Sequence, residues 1–350
     1  MARKLRWGVL GSGGIARRRT IPEGIVAAAS AELRAVFDVD PSINDEVARQ
    51  FGARACGSQA ELLAGDDVDA VYVATPAGLH RAQTLSAAAA GKHVLCEKPL
   101  GLTVADGREM IAACDQAGVT LGVGFMMRFH AVHREALELI RQGRLGRLVF
   151  GRAQLSCWYP PIAGAWRQDP RTGGGGSLMD MGGHCIDLLE MFLGPVRRVS
   201  CRTSNLVHDY ASEDAATALL EFDSGAHGVV DAFFCVPDAA SRNRLEIYGS
   251  GGSLLGEGTI GQGPGGTMVA YLDEAAGGYD ARQGRADGAG AILAAEPVNT
   301  YRAEIEDFSR AVLDGRPPEN GAELGLRSAR VLAACYESAR TGTMVALPSP

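Results

Sequence analysis

No two of the eight cysteines in this chain stand in a C-x-x-C spacing. Cys56, Cys96, Cys114, Cys157, Cys185, Cys201, Cys235 and Cys335 are scattered, most of them in apolar stretches. That argues against a zinc site or a disulfide framework and predicts reduced thiols in a cytoplasmic protein. Long apolar runs are missing as well. The segment Met1-Ala2-Arg3-Lys4 leads directly into a strand-like stretch, so neither a signal peptide nor a membrane span is expected. Nor is there an excess of basic charge. Lys and Arg number 34 against 41 Asp and Glu, for a formal net charge of −7, which argues against a nucleic-acid or anionic-membrane surface. The one basic cluster, Arg17-Arg18-Arg19, falls in a first helix and reads as a solvated face. What remains is a chain of 350 residues, 46% hydrophobic and 21% charged, the composition of a soluble globular protein of two domains or one large one.

The apolar run Lys92-His93-Val94-Leu95-Cys96 reads as a buried strand, and Glu97-Lys98-Pro99 stands where it stops. A proline restricts the residue before it to extended backbone and ends the ladder. Upstream, residues 5–10 form another strand. It is followed by Gly11-Ser12-Gly13-Gly14-Ile15-Ala16, a G-x-G-x-x-A match. Here the first glycine permits a tight turn and the second lets backbone approach a pyrophosphate. The small last residue lets helix pack on strand. A second strand, residues 32–37, ends in Asp38, where a carboxylate can hold the adenosine ribose hydroxyls. A carboxylate there repels a 2′-phosphate, and Val39-Asp40-Pro41 offers no arginine to receive one. NAD is therefore expected in preference to NADP.

The alternation then repeats through residue 126. Helices are expected over 44–51, 61–63, 81–90 and 106–117, with strands over 68–74, 92–96 and 119–124. This is a doubly wound parallel sheet, the α/β Rossmann architecture. Thr75-Pro76 and Lys98-Pro99 both close strands on the edge that carries Gly11 and Gly13, so they should line one crevice.

After a helix at 133–142 the period changes. Strands at 148–155, 196–203, 215–222, 228–235 and 244–248 read as a run without intervening helices. They imply an α+β domain, residues 127–350, with a large and mainly antiparallel sheet. Residues 256–290 are glycine-rich and read as a strand or two with a long loop. Two helices, 301–313 and 325–340, close the chain, and no internal repeat is evident.

Inside this half lies Gly173-Gly174-Gly175-Gly176-Ser177-Leu178-Met179-Asp180-Met181-Gly182-Gly183-His184. A helix beginning near Ser177 puts Asp180 and His184 on one face. The pair suits a general acid/base histidine with a carboxylate that fixes its tautomer. A competing reading makes Ser177 and Asp180 a capping box. Gly182 and Gly183 cost such a helix about 1 kcal/mol each relative to alanine, which suggests a close approach of something to the backbone.

Taken in order, the glycine turn, Ala74-Thr75-Pro76 with His80, Glu97-Lys98-Pro99, Trp166-Arg167, Asp180-x-Gly-x-His184 and Tyr301-x-x-Glu304-Ile305-x-Asp307-Phe308 resemble the glucose–fructose oxidoreductase / inositol dehydrogenase (Gfo/Idh/MocA) family. The resemblance spans essentially the whole chain. It implies that Lys98, Asp180 and His184 meet over the nicotinamide of a bound NAD as catalytic residues. It also implies that Gly11, Ser12, Gly13, Gly14, Ile15, Ala16, Asp38, Thr75, Pro76, His80, Glu97 and Lys98 hold the cofactor. The family's substrates are sugars, inositols and related polyols, and its members assemble as dimers or tetramers through the open face of the C-terminal sheet. A secondary alcohol would give its hydride to the nicotinamide and its proton to His184. Asp180 would orient His184, and Lys98 would stabilise the developing charge on oxygen. Arg128, Trp158, Tyr159, Trp166 and Arg167 are candidates for the substrate wall. Three other readings stay open: a tightly held NAD used for transient oxidation and elimination, a keto-sugar reductase, and a non-catalytic NAD- or sugar-sensing regulator.

Overall fold

A computed structural model describes residues 3–273, 281 and 289–348. Its first sheet is parallel, in the order β3-β2-β1-β4-β5-β6. The strands are β1 (Leu5–Leu10), β2 (Ala31–Phe37), β3 (Arg54–Ala55), β4 (Ala70–Val73), β5 (His93–Glu97) and β6 (Leu121–Gly124). The strands are apolar because helices cover both faces. Alternate residues serve opposite cores: Trp7, Val9, Tyr72 and Leu95 pack on one side. Leu10, Val71, Val73, Val94 and Cys96 pack on the other. The strand order reverses direction between β1 and β4, which opens a crevice at their carboxyl ends.

Helix signals in this half are met locally. Asp40 caps the helix Pro41–Phe51 by accepting from the Ser42 N–H, and Gly52 ends it in a left-handed conformation. Thr103 and Asp106 form a reciprocal capping box for Val104–Ala117. The first helix departs from expectation. Ala16–Ile25 winds as a π-helix with Pro22 inside it, a residue that gives no N–H to the ladder. Arg17 pairs with Glu46 and Arg19 with Glu23.

The second sheet has nine strands in the order β14-β13-β12-β11-β7-β10-β9-β8-β15. They are β7 (Leu148–Ser156), β8 (Val196–Ser204), β9 (Ala215–Phe222), β10 (His227–Phe233), β11 (Arg244–Gly249), β12 (Gly252–Glu257), β13 (Thr267–Leu272), β14 (Ala291–Ile292) and β15 (Val345–Ala346). All neighbours are antiparallel except β7 and β10, which run parallel at the centre. A parallel pair needs a crossover. Here the crossover is the excursion after β7 that carries the helix Gly183–Leu193 and then the β8–β9 meander. The loop expected over 256–290 contains β13 and falls partly outside the described residues.

The closing helices reach back to the first half. In Thr300–Asp314, Ile305 and Phe308 complete the core around Trp7. The Trp7 indole donates to Ser309 Oγ at 3.1 Å, and its ring lies 5.4 Å from that of Phe308. In Ala322–Thr341, Gly325 sits so close to Leu100 and Val123 that a Cβ would come within 2.9 Å of the first and 3.3 Å of the second. No helix among the described residues is long and apolar enough to cross a membrane.

Candidate active site

Lys98 follows directly on β5 and lines the crevice; its peptide bond to Pro99 is cis. The lysine Nζ donates to Asp180 Oδ1 at 2.6 Å and to the Asp180 carbonyl at 2.9 Å. Arg167 brings its Nε to 3.0 Å from the same carboxylate oxygen. Burial opposes ionisation of Asp180, but Arg167 and Lys98 outweigh it and hold the carboxyl well below the usual range. Arg167 is itself largely desolvated, and Asp180 with Tyr159 keeps it charged. Its guanidinium stacks over the Trp166 ring at 4.2 Å from the centroid.

His184 stands 8% exposed in the same wall. Burial, then the nearby Lys98, lowers its pKa to about 3, with Asp180 pulling the other way. The ring is therefore neutral at neutral pH, and its Nδ1 is buried without a partner. The expected bond from Asp180 to His184 is not formed. Charge-assisted bonds to two cations are stronger than one to a neutral imidazole, and the carboxylate takes them. Nor does Ser177 cap the helix. Its backbone is already helical, whereas a capping residue needs extended backbone, and its Oγ has no partner. Gly183 is not a site of close approach either, since a Cβ there would meet only Leu332 at 3.7 Å. Gly182 is tighter, with Leu178 at 2.8 Å, but the severe contacts lie earlier, at Gly175 and Gly176.

The glycine turn adjoins this wall. Gly11 has φ +81°, and a Cβ on it would fall 2.8 Å from the Thr75 side chain, so turn and Thr75 pack as one unit. Asp38 accepts from the Gly13 N–H at 2.9 Å and from the Asp40 N–H at 3.1 Å. Ala16 is buried in the core beneath β1, the small residue that helix-on-strand packing requires. Ser12 is buried with an unpartnered Oγ, and beside Gly14 there is open space. An orphaned hydroxyl, open backbone and a carboxylate at the end of β2 together fit a dinucleotide.

The cavity between turn and wall encloses about 250 Å³. Gly14, Ile15, Thr75, Glu97, Lys98, Trp166, Arg167, Asp180 and His184 line it. Glu97 accepts from the Tyr72 hydroxyl, which in turn accepts from Thr20 at 2.9 Å. Burial raises its pKa against the pull of Lys98. Five expected residues lie elsewhere. Pro76 caps the turn Ala77–Leu79. The buried His80 bonds the Pro99 carbonyl at 2.8 Å and the Thr75 carbonyl at 2.9 Å, so it ties the two strand ends together from behind. Arg128 is committed to Asp187 at 2.9 Å. Trp158 is 42% exposed, packed edge-on to His208. Tyr159 reaches the site only through Arg167.

Arg18, Met126, Met127, Leu155, Met181, Gly261 and Gln262 line the cavity as well, and no site motif in the sequence includes them as candidates. Met126 and Met127 follow β6, so the rule that ligands sit at strand carboxyl ends was enough to find them. Gln262 lies in a glycine-rich stretch with no signal of its own. Arg18 is exposed, as a solvated face requires, and also lines the cavity.

Residues 5–125 match the oxidoreductase family with NAD-binding Rossmann fold, and residues 133–255 match the GFO/IDH/MocA C-terminal domain. The chain belongs to the Gfo/Idh/MocA family of oxidoreductases. Two relatives cover nearly all of this family member. The 1,5-anhydro-D-fructose reductase of Ensifer adhaerens is 33% identical over 96% of this chain and 97% of its own. The D-xylose 1-dehydrogenase (NADP(+)) 2 of Haloferax volcanii is 34% identical over 98% of this chain and 100% of its own. Among solved structures, the aldose-aldose oxidoreductase of Caulobacter crescentus, crystallised with glycerol, superimposes with a TM-score of 0.87. It is 31% identical and covers 99% of this chain and 100% of its own.

Proposed function

We propose that this oxidoreductase is an NAD-dependent dehydrogenase acting on a secondary alcohol of a sugar or related cyclic polyol. The observation that carries the reading is the wall in which Lys98 and a neutral His184 flank one cavity beside the glycine turn. The relatives named for sugars support the substrate class. The dinucleotide, when bound, supplies the hydride acceptor, or the donor in the reverse direction.

The chain's own residues do the rest. His184, neutral, is in the form that accepts a hydroxyl proton. Lys98 donates to the same oxygen and stabilises the charge that develops there. Asp180 holds the lysine in line, with Arg167 neutralising what remains. Trp166, stacked beneath Arg167, offers an apolar face to the C–H face of a ring. Gly11, Gly13 and Asp38 receive the dinucleotide, and the carboxylate of Asp38 favours NAD over NADP. Assembly belongs to the same reading. Val149, Leu219 and Met344 are exposed on the second sheet and its flank, and a second copy of this chain covers them in a dimer or tetramer.

The test is reduction of added NAD and NADP by purified protein against monosaccharides, glycosides and inositols. NADH formation with one group supports the reading and names the substrate. Silence across the panel, with NAD released only on denaturation, replaces it with the retained-cofactor reaction.

A further inference from the structure

We propose that Glu213 is a positioning residue for the reaction, acting with Tyr336 as a clamp that sets Asp180 against Lys98. The proposal rests on the functional reading above for its kinetic consequences, but not for its geometry.

Glu213 is 9% exposed and stands just before β9. Its Oε2 accepts from the Gly176 N–H at 2.9 Å, and its Oε1 accepts from the Leu178 N–H at 3.0 Å. The Tyr336 hydroxyl donates to Oε1 at 2.9 Å. The Glu213 carbonyl accepts from the Ser177 N–H at 3.0 Å. Three consecutive N–H groups at the start of a helical segment are thus met by one residue distant in sequence. A capping box would pair the Ser177 N–H with the Asp180 carboxylate and the Asp180 N–H with the Ser177 hydroxyl; here the Glu213 carbonyl takes the first and the Gly176 carbonyl the second. Such groups left unmet in a buried place are costly.

The glycines preceding the segment are shaped to this clamp. A Cβ on Gly176 would lie 1.9 Å from the Glu213 carbonyl oxygen, and one on Gly175 would lie 1.8 Å from the Tyr336 hydroxyl. Backbone and clamp have therefore no room to slide. Asp180 follows Leu178 by two residues. Moreover, Tyr336 and Gly325 belong to one helix, Ala322–Thr341. Gly325 packs on Leu100, two residues beyond Lys98, while Tyr336 grips Glu213. One rigid rod therefore indexes the lysine strand against the aspartate segment. Neither Glu213 nor Tyr336 lines the cavity, so their effect on turnover passes through the segment they hold.

Glu213→Gln replaces one acceptor oxygen with an amide N–H facing another N–H. Turnover should fall roughly tenfold to a hundredfold, the scale of a displacement of about 1 Å at a catalytic group. KM and the dissociation constant for NADH should change less than about twofold. Tyr336→Phe, which removes a single bond, should fall in between and carries the test if the first variant fails to fold. In an Asp180→Asn background, Glu213→Gln should add no further loss of kcat, because its effect runs through that carboxylate. Equal, additive losses of kcat in both backgrounds would overturn the proposal. A crystal structure of Glu213→Gln should show the Lys98–Asp180 contact broken. An unmoved Asp180 refutes the clamp even where wild-type protein turns over no sugar. Inactivity of the wild type alone refutes only the substrate reading.

Discussion

Lys98 and Asp180 come from different halves of the chain and meet at 2.6 Å. The first ends a parallel strand. The second sits in the wide helical turn Leu178–Gly182. The salt bridge is thus also a seam between domains, and both of its members face the cavity.

Removing the lysine should separate chemistry from binding. In Lys98→Ala, Asp180 keeps Arg167 as its partner, so the carboxylate is not left as an unpaired buried charge. Turnover should fall about a hundredfold or more while NAD binding persists. Steady-state kinetics with a fluorescence titration of NADH check both. An unchanged kcat would remove Lys98 from the chemistry.

Acid should unfold the protein through two buried imidazoles. Burial lowers both His184 and His133 to about 3, with Lys98 adding to the first and His130 to the second. In the unfolded chain each takes a proton near pH 6.5; in the folded one each refuses it. Their contribution to stability is therefore complete above about pH 6.5 and is lost as pH falls toward 3. Urea unfolding at pH 7.5, 6 and 5 should show a midpoint that drops with acidity. His133→Gln should shallow the slope. For the same reason, kcat/KM of the free enzyme should show no inflection from His184 near 6.5.

Asp38 serves both turn and cofactor, which makes its substitution informative. Asp38→Ala should raise the dissociation constant for NAD more than that for NADP, since it removes a ribose acceptor and a repulsion together. Isothermal titration with both dinucleotides decides. Equal losses would confine Asp38 to bracing the Gly13 N–H.

Arg128 should behave as a structural residue. It is paired with Asp187, a carboxyl that burial raises to about 6 although Arg128 opposes the rise. Breaking a buried pair by removing one partner costs about 3–5 kcal/mol. Arg128→Ala should therefore lower the denaturation midpoint sharply, with KM for the sugar nearly unchanged. A raised KM at unaltered stability would return it to the substrate wall.

The first half was readable because its signals are local. Strand, glycine turn and strand-end acid follow one another within 38 residues, and Asp40, Gly52 and Thr103 do what their types predict. The second half was readable as a large, mainly antiparallel sheet, but not in its strand order. The parallel β7–β10 pair depends on where a crossover lands, which no residue announces. At the site, residue types that carry chemistry were found, but their allegiances were not. Asp180 and His184 are four apart, yet the carboxylate turns to Lys98 and Arg167, which only folding brings near. His80 looked like a ligand contact and is a tie between two carbonyls. Glu213 had no local signal at all. Its partners precede it by about forty residues and follow it by more than a hundred.

The closing helices carry a consequence for how the chain is made. As it emerges from the ribosome, the parallel sheet is complete once residue 124 is out. One of its faces, with Trp7, Val9, Tyr72 and Leu95, then waits for Ile305 and Phe308. Ala16, Ile21 and Ile25 already pack there, but at synthesis speeds of about 5–20 residues per second the face lacks its last cover for roughly ten seconds or more. The first half thus begins a core that only the last quarter of the chain completes.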